Sequence, residues 1–496
     1  MPDETRVLLG IDIGSSGVKA VLLDPDRGVV ASSSYDVALY SDYPGWAEAE
    51  HGQWWDAVCA LVPLLLNQIN ATNANIAAVG VSGMVPAILV LDDDGRPLRR
   101  AIMQNDARAT DEIREVQAAL GDFDLLSLTG SVLNQQSIAP TALWLSRHEP
   151  NVWAATKSIQ GSYDWMARAL GADAVVEHNW ALESGLYGFD GRELAEVQAA
   201  ARITWPTLLN VATPGTVIGG VSAGAAQETG LLAGTPIVVG GADHVLSAYG
   251  AGLVDRGDCL VKLGGSGDLL AVSDDIFLDA RLYLDSHPIP GKWLPNGCMA
   301  TSGSLLRWEQ ALFDHVPLVE LDAAAELSAP GALLTLPFFL GEKSPLHDPD
   351  LRGVMLGMHL GTTRGDIHRS ILEGIAYGFK SNFDVFAQGG LELASPRVTN
   401  GGSKSRLWRQ ILADVLELEL VSLVNHPGAS FGAAVIAGVG VGVIGDWSYV
   451  AGFLEKGETI SPTSSNVEIY GERYRQYHEL YEKTKPLSHS LARSPQ

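Results

Sequence analysis

The sequence predicts an α/β protein of two similar domains, each built on a mixed sheet, and three observations carry that expectation. At 496 residues the chain exceeds what one hydrophobic core organises, so two domains of roughly 200–250 residues are the natural division. Strand-like and helix-like patterns alternate from end to end. A short apolar hairpin with a glycine-serine tip near the N-terminus returns about half a chain later, as an internal duplication would produce.

Taken in order, residues 7–13 read as a buried strand, Gly14-Ser15-Ser16-Gly17 as a turn and residues 18–24 as the returning strand. Helical spacing follows at 54–67 and 111–120, with strands at 76–81 and 87–91, and Asp92-Asp93-Asp94-Gly95-Arg96 marks a turn. Residues 237–239 form a short buried strand that ends in Gly240-Gly241-Ala242-Asp243, and a helix-like run covers 244–250. Asp243 thus falls at a strand end and near a helix start. The second hairpin is 259–263, then Gly264-Gly265-Ser266-Gly267, then 268–273. Beyond it come a long helix at 364–388, a strand at 397–400, a helix over 403–416 launched from Gly401-Gly402, and a last helix around 467–483. The expected domains are 1–245 and 246–496, with the final helix free to pack on either.

A net charge of −25 and a pI near 4.8 disfavour nucleic acid and anionic membranes as partners. Cys59, Cys259 and Cys298 lie far apart and form no CxxC pair, which fits a reduced, cytoplasmic setting. The start, Met1-Pro2-Asp3-Glu4, lacks the basic and apolar runs of a signal peptide. Residues 427–445 are uncharged and near membrane-spanning length, but Gly and Ala dominate them, so a tightly packed helix inside a domain is expected and no membrane partner. A homodimer is compatible with the sequence.

A Gly-Ser turn between strands aims backbone N–H groups and hydroxyls at one point, as phosphate oxygens require. Asp12, just before the first turn, offers the hard oxygen that Mg²⁺ prefers. One such turn is equally well explained as a tight hairpin; its recurrence favours the phosphate reading. No Gly-Lys-Ser/Thr follows, so this is no P-loop, and Gly10, Gly14 and Gly17 do not have dinucleotide-binding spacing.

Longer motifs then carry a resemblance. They are Gly10-Ile11-Asp12-Ile13-Gly14-Ser15-Ser16-Gly17-Val18-Lys19, Gly45-Trp46-Ala47-Glu48 with Gln53-Trp54-Trp55, Gln104-Asn105-Asp106-Ala107-Arg108, Gly240-Gly241-Ala242-Asp243, Leu263-Gly264-Gly265-Ser266-Gly267, Gly353-Val354-Met355-Leu356-Gly357, Ile371-Leu372-Glu373-Gly374 and Asn400-Gly401-Gly402-Ser403-Lys404. In this order and spacing the chain resembles the FGGY carbohydrate kinases over nearly its whole length, and within them the xylulokinase branch most. The resemblance implies two actin-like (ribonuclease H-like) domains with a central cleft, closing on ATP and a small sugar or polyol, with D-xylulose converted to D-xylulose 5-phosphate as the foremost reaction.

It also implies roles. Gly14, Ser15, Ser16 and Lys19 in the N-terminal, sugar-binding domain and Gly264, Gly265 and Ser266 in the C-terminal, nucleotide-binding domain would hold phosphates. Gly401, Gly402 and Ser403 would lie on adenosine, and Asp12 would work with Mg²⁺. Trp46, Met84, Asn105, Asp106 and Asp243 would meet the substrate. Asp243 would be the general base, with His244 as the alternative, because a sugar hydroxyl needs a carboxylate or imidazole within reach to take its proton. The departures from the xylulokinase pattern cluster around the sugar: Pro86 stands where a histidine is usual, Gln104 replaces a tryptophan, Thr141 a lysine, and Gly265 a hydroxyl-bearing residue. Another ketose or polyol (ribulose, a tetrulose, a sugar alcohol) is therefore the second reading, and an actin-fold nucleotide switch without sugar kinase activity the third.

Overall fold

Six apolar or glycine positions around Asp12 near the N-terminus build the centre of a six-stranded sheet. Its strands are β1 (Val7–Ile13), β2 (Gly17–Asp24), β3 (Gly28–Asp36), β4 (Ile76–Gly83), β5 (Val217–Gly220) and β6 (Pro236–Ala242). The order is β5-β6-β4-β1-β2-β3. β1, β2 and β3 form an antiparallel meander, β4 and β6 run parallel to β1, and β5 returns antiparallel on the edge. The computed structural model describes residues 6–204, 207–424, 426 and 428–492.

A second sheet repeats this plan. It contains β7 (Cys259–Leu263), β8 (Gly267–Ala271), β9 (Tyr283–Ser286), β10 (Trp293–Met299), β11 (Arg397–Thr399), β12 (Leu420–Leu423) and β13 (Lys456–Ile460), in the order β9-β10-β8-β7-β11-β12-β13. Again an antiparallel hairpin supplies the central strand, two parallel strands follow on one side, and an antiparallel strand closes that side. The duplication read from the two glycine-serine hairpins is thus a duplication of sheet topology.

The chain divides into two units, one of residues 1–254, 284–293 and 427–453, the other of 255–283, 294–426 and 454–496. The first runs past the boundary expected at residue 245 because the helix Asp243–Gly250 is packed against the helix Ala429–Gly440, where a Cβ on Gly432 would lie 2.4 Å from the Leu246 carbonyl oxygen. The same helix lies on the sheet. A Cβ on Gly10 would lie 1.9 Å from the Ser430 carbonyl oxygen, and one on Gly80 2.2 Å from that of Ala433. The uncharged Gly/Ala run is therefore a close-packed helix, as its composition suggested, buried from Ala429 to Gly438. Among the described residues no helix is long and apolar enough to cross a membrane.

In the second unit the long helix Arg364–Gln388 and the helix Arg406–Leu416 cover the sheet. The expected helix over 403–416 is split: Gly401–Lys404 is a short 3₁₀ turn, and Ser405 Oγ starts the α-helix by accepting the Trp408 N–H at 3.1 Å. The last helix, Ser464–Ala492, packs within this unit and adds Tyr470, Tyr474, Tyr477 and Tyr481 to a core that includes Phe338 and Tyr377.

Candidate active site

Three neighbouring parallel strands of the first sheet end level with one another. Ile13 on β1 pairs with Gly83 on β4, and Gly83 with Ala242 on β6. The residues that follow, Gly14, Met84 and Asp243, leave the sheet side by side, at the carboxyl ends of strands where open α/β sheets take their ligands. The row is drawn tight: the Met84 N–H donates to the Ile13 carbonyl at 3.1 Å. A Cβ on Gly83 would lie 2.8 Å from Ser162 Oγ and 3.1 Å from Ile13 Cβ, so the absence of a side chain there lets the row close.

The first turn is shut by the Gly14 N–H donating to the Gly17 carbonyl at 3.0 Å, with Ser15 and Ser16 exposed at its tip. Asp12, half-buried, sits across the ladder from exposed Lys19. In the second unit the equivalent pair is reversed in sign, with Lys262 Nζ 3.6 Å from Asp268 Oδ2. The carbonyls of Gly264 and Gly265 accept from the N–H groups of Gly303, Ser302 and Ser304 at 2.7, 2.9 and 3.0 Å, which fixes this turn on the start of the helix Gly303–Leu312. Arg307 on that helix reaches to 3.2 Å from the place a Gly265 Cβ would take. Asn400 holds φ +71, and its carbonyl accepts from the Ser403 N–H and hydroxyl at 3.1 and 2.7 Å. A Cβ on Gly402 would strike Trp408 at 2.4 Å, whereas one on Gly401 would meet open space, leaving a bare backbone face there.

Trp46 and Asp106 meet through Arg108 in a cluster within the first unit. The Arg108 guanidinium lies 3.7 Å from the Trp46 ring centroid and 5.1 Å from that of Trp144, and the two indoles meet edge to face at 5.4 Å. Asp106 Oδ1 accepts from Arg108 Nε at 2.8 Å, while Oδ2 accepts from the Ala47 N–H at 2.6 Å and from Arg108 at 2.7 Å. Glu48 also accepts from Arg108 at 2.8 Å. The Asp106 side chain is 3% exposed, so both of its oxygens serve the aromatic wall and the carboxylate does not line it. Asn105 is exposed in the turn 103–106, and Met84 is buried with its carbonyl accepting from Ser162 Oγ at 3.2 Å.

Asp243 begins the helix Asp243–Gly250 and its side chain is 37% exposed. Its Oδ1 accepts the His244 N–H at 2.6 Å. His244 reaches on to Asp285, Nε2 to Oδ2 2.8 Å, and Glu183 completes a group whose polar atoms all lie within 4.8 Å of one another. The sequence reading singled out neither Asp285 nor Glu183.

Residues 7–250 match the N-terminal domain of the FGGY family of carbohydrate kinases, and residues 273–441 its C-terminal domain. The chain belongs to this family. The crystal structure of xylulose kinase from Rhodospirillum rubrum is 37% identical and superposes with a TM-score of 0.92, covering 98% of this chain and 100% of that one. Xylulose kinase from Staphylococcus epidermidis is 28% identical over 98% of both chains. L-xylulose/3-keto-L-gulonate kinase from Escherichia coli is also 28% identical, over 96% of this chain and 97% of its own. The repeated sheet is accordingly the actin-like, ribonuclease H-like fold in both halves, and the enzyme is a sugar kinase of a family that uses ATP as its phosphate donor.

Proposed function

We propose that this FGGY kinase phosphorylates D-xylulose to D-xylulose 5-phosphate, with Asp243 as general base. The observation that carries the reading is the level at which Asp243 leaves β6, in one row with the Gly14 turn across the ends of β6, β4 and β1. A carboxylate so placed stands beside a phosphate-binding turn. Asp243 would take the proton of the acceptor hydroxyl as that oxygen bonds to the γ-phosphorus. Alignment and charge stabilisation would supply most of the acceleration.

Gly14, Ser15, Ser16 and Lys19 would hold phosphate oxygens, and Gly264, Gly265 and Ser266 would do the same. Gly401, Gly402 and Ser403 would face the adenosine, the bare Gly401 backbone suiting a flat base. Trp46, held by Arg108, would serve as the apolar wall for the sugar, with Asn105 as its hydrogen-bonding partner and Met84 and Asp106 supporting the pocket from behind. The donor chemistry fits Mg²⁺: Asp12 offers a hard carboxylate oxygen two residues before the first turn, and the bound ion would offset phosphate charge there.

The relatives' names support xylulose, and the Escherichia coli kinase at the same 28% identity supports a related ketose as the second reading, which Pro86 and Gln104 also favour. ADP release measured across a panel of ketoses and polyols separates the two. A kcat/KM for another sugar more than tenfold above that for D-xylulose would overturn the first. Asp243→Asn is expected to abolish sugar-dependent turnover while ADP still binds; near-wild-type kcat would remove Asp243 from the base role.

A further inference from the structure

We propose that His244, clamped by Asp285 and Glu183, is a fixed positive charge behind the active site that orients the Asp243 carboxylate and keeps it ionised, ready to accept the proton. The inference rests on Asp243 being the base. His244 is then a positioning residue acting through its neighbour.

The clamp is built, with its parts brought from three elements. Glu177 caps the helix His178–Ser184, accepting the Asn179 and Trp180 N–H groups at 2.9 and 3.3 Å. Asn179, wholly buried, then grips the backbone of Ser286: its Nδ2 donates to the Ser286 carbonyl at 3.0 Å, and its Oδ1 accepts the Ser286 N–H at 2.6 Å. That pair of bonds sets Asp285, one residue earlier, beside Glu183 on the same helix. Asp285 Oδ2 meets His244 Nε2 at 2.8 Å, which leaves the opposite ring nitrogen, Nδ1, 3.6 Å from Asp243 Oδ1. The imidazole is thus flanked by a carboxylate on each nitrogen.

Such a site favours the imidazolium. Burial alone would depress His244, but Asp285 and Asp243 outweigh it and hold the ring well above its ordinary value. Burial and the Asp285 carboxylate push Glu183 well up, toward its neutral form. Glu183 Oε1, buried without a hydrogen-bond partner among the described residues, suits a neutral carboxyl. The helix Ala429–Gly440 and strands β4 and β6 bring no ionisable side chain. Tyr249, on the same helix as His244, donates to the Trp447 carbonyl, and His287 bonds the Leu253 carbonyl at 2.9 Å. His178 faces the Phe189 carbonyl at 3.0 Å, and Glu177 lies behind Asp285.

The test has two arms on the full chain. In ¹⁵N-histidine spectra of the ligand-free wild type, assigned with His244→Gln, the His244 ring is expected to carry both protons at pH 8; a neutral ring at pH 7 overturns the proposal. In the second arm, kcat/KM is followed against pH with ATP and the best sugar of the panel. Asp285→Asn is expected to bring the alkaline limb down by at least one pH unit. His244→Gln is expected to lower kcat at least tenfold, with KM for ATP within twofold of wild type. Equal losses in both variants with unmoved limbs would mean a purely structural clamp and would overturn the proposal, as would a stoichiometric metal in the purified protein that His244→Gln loses. If no sugar is phosphorylated, the kinase reading fails on its own, and the spectra still decide the state of His244.

Discussion

Arg108 shows how much one side chain can be asked to do. Its side chain is 1% exposed, its guanidinium forks onto Asp106 and Glu48, and its flat face stacks on Trp46. Lysine keeps the charge but not the fork or the stacking plane. Arg108→Lys is expected to raise KM for the sugar several-fold while leaving KM for ATP unchanged, read by steady-state kinetics. Arg108→Ala leaves Asp106 buried without its guanidinium, while Glu48 keeps Arg99, and is expected to cost roughly 3–5 kcal/mol in chemical denaturation. Glycine positions carry the opposite constraint. Gly80→Ala would place a methyl group 2.2 Å from a backbone carbonyl that cannot swing aside, so a loss of about 3 kcal/mol or more, seen as a lower urea midpoint, is expected. Arg108 stood in plain view in the Gln104–Arg108 motif, yet nothing in its spacing says that rings at 46 and 144 flank it. Asp285 was harder still to see: it is 41 residues from His244, and it comes to the imidazole only because Asn179 pins a strand.

At the scale of elements, what the sequence disclosed was local and what it hid was tertiary. The hairpins, the helix Arg364–Gln388 and the helix Ala429–Gly440 follow from apolar period and glycine placement. The break at Ser405 follows from a cap, which a helical pattern running on from Gly402 conceals. Three helices of the second unit are joined through a buried His368, whose Nδ1 faces Glu309 at 2.7 Å and whose Nε2 faces Asp322 at 2.9 Å. Burial opposes the charge, but the two carboxylates prevail and raise the imidazole to about 9. A histidine raised above its unfolded value stabilises the fold in full below about pH 6.5. That contribution, on the order of 3 kcal/mol, fades as the pH climbs through about 9. The urea midpoint is therefore expected to fall between pH 7 and pH 10 in the wild type, and His368→Gln to flatten that fall.

For the whole molecule, two sheets of the same topology carry different chemistry at matching places. Asp12 faces Lys19 in the first hairpin, and Lys262 faces Asp268 in the second. The repeat was legible because hairpin tips constrain residue type; the three-segment make-up of the first unit was not, since nothing marks residues 284–293, and the Gly/Ala composition of 427–445 does not say which sheet it covers. A fragment ending at residue 254 would leave Gly10 and Gly80 without the helix that covers them. It is expected to be insoluble or to bind hydrophobic dye, and to recover a cooperative melt when residues 427–453 are supplied through a linker.

The covering helix ends at Gly440, 186 residues (440 − 254) beyond Val254, so a ribosome must translate that whole stretch before the N-terminal half can finish its core. At ~5–20 residues per second that half stays incomplete on the ribosome for tens of seconds, and a late premature stop codon would destroy the domain made first.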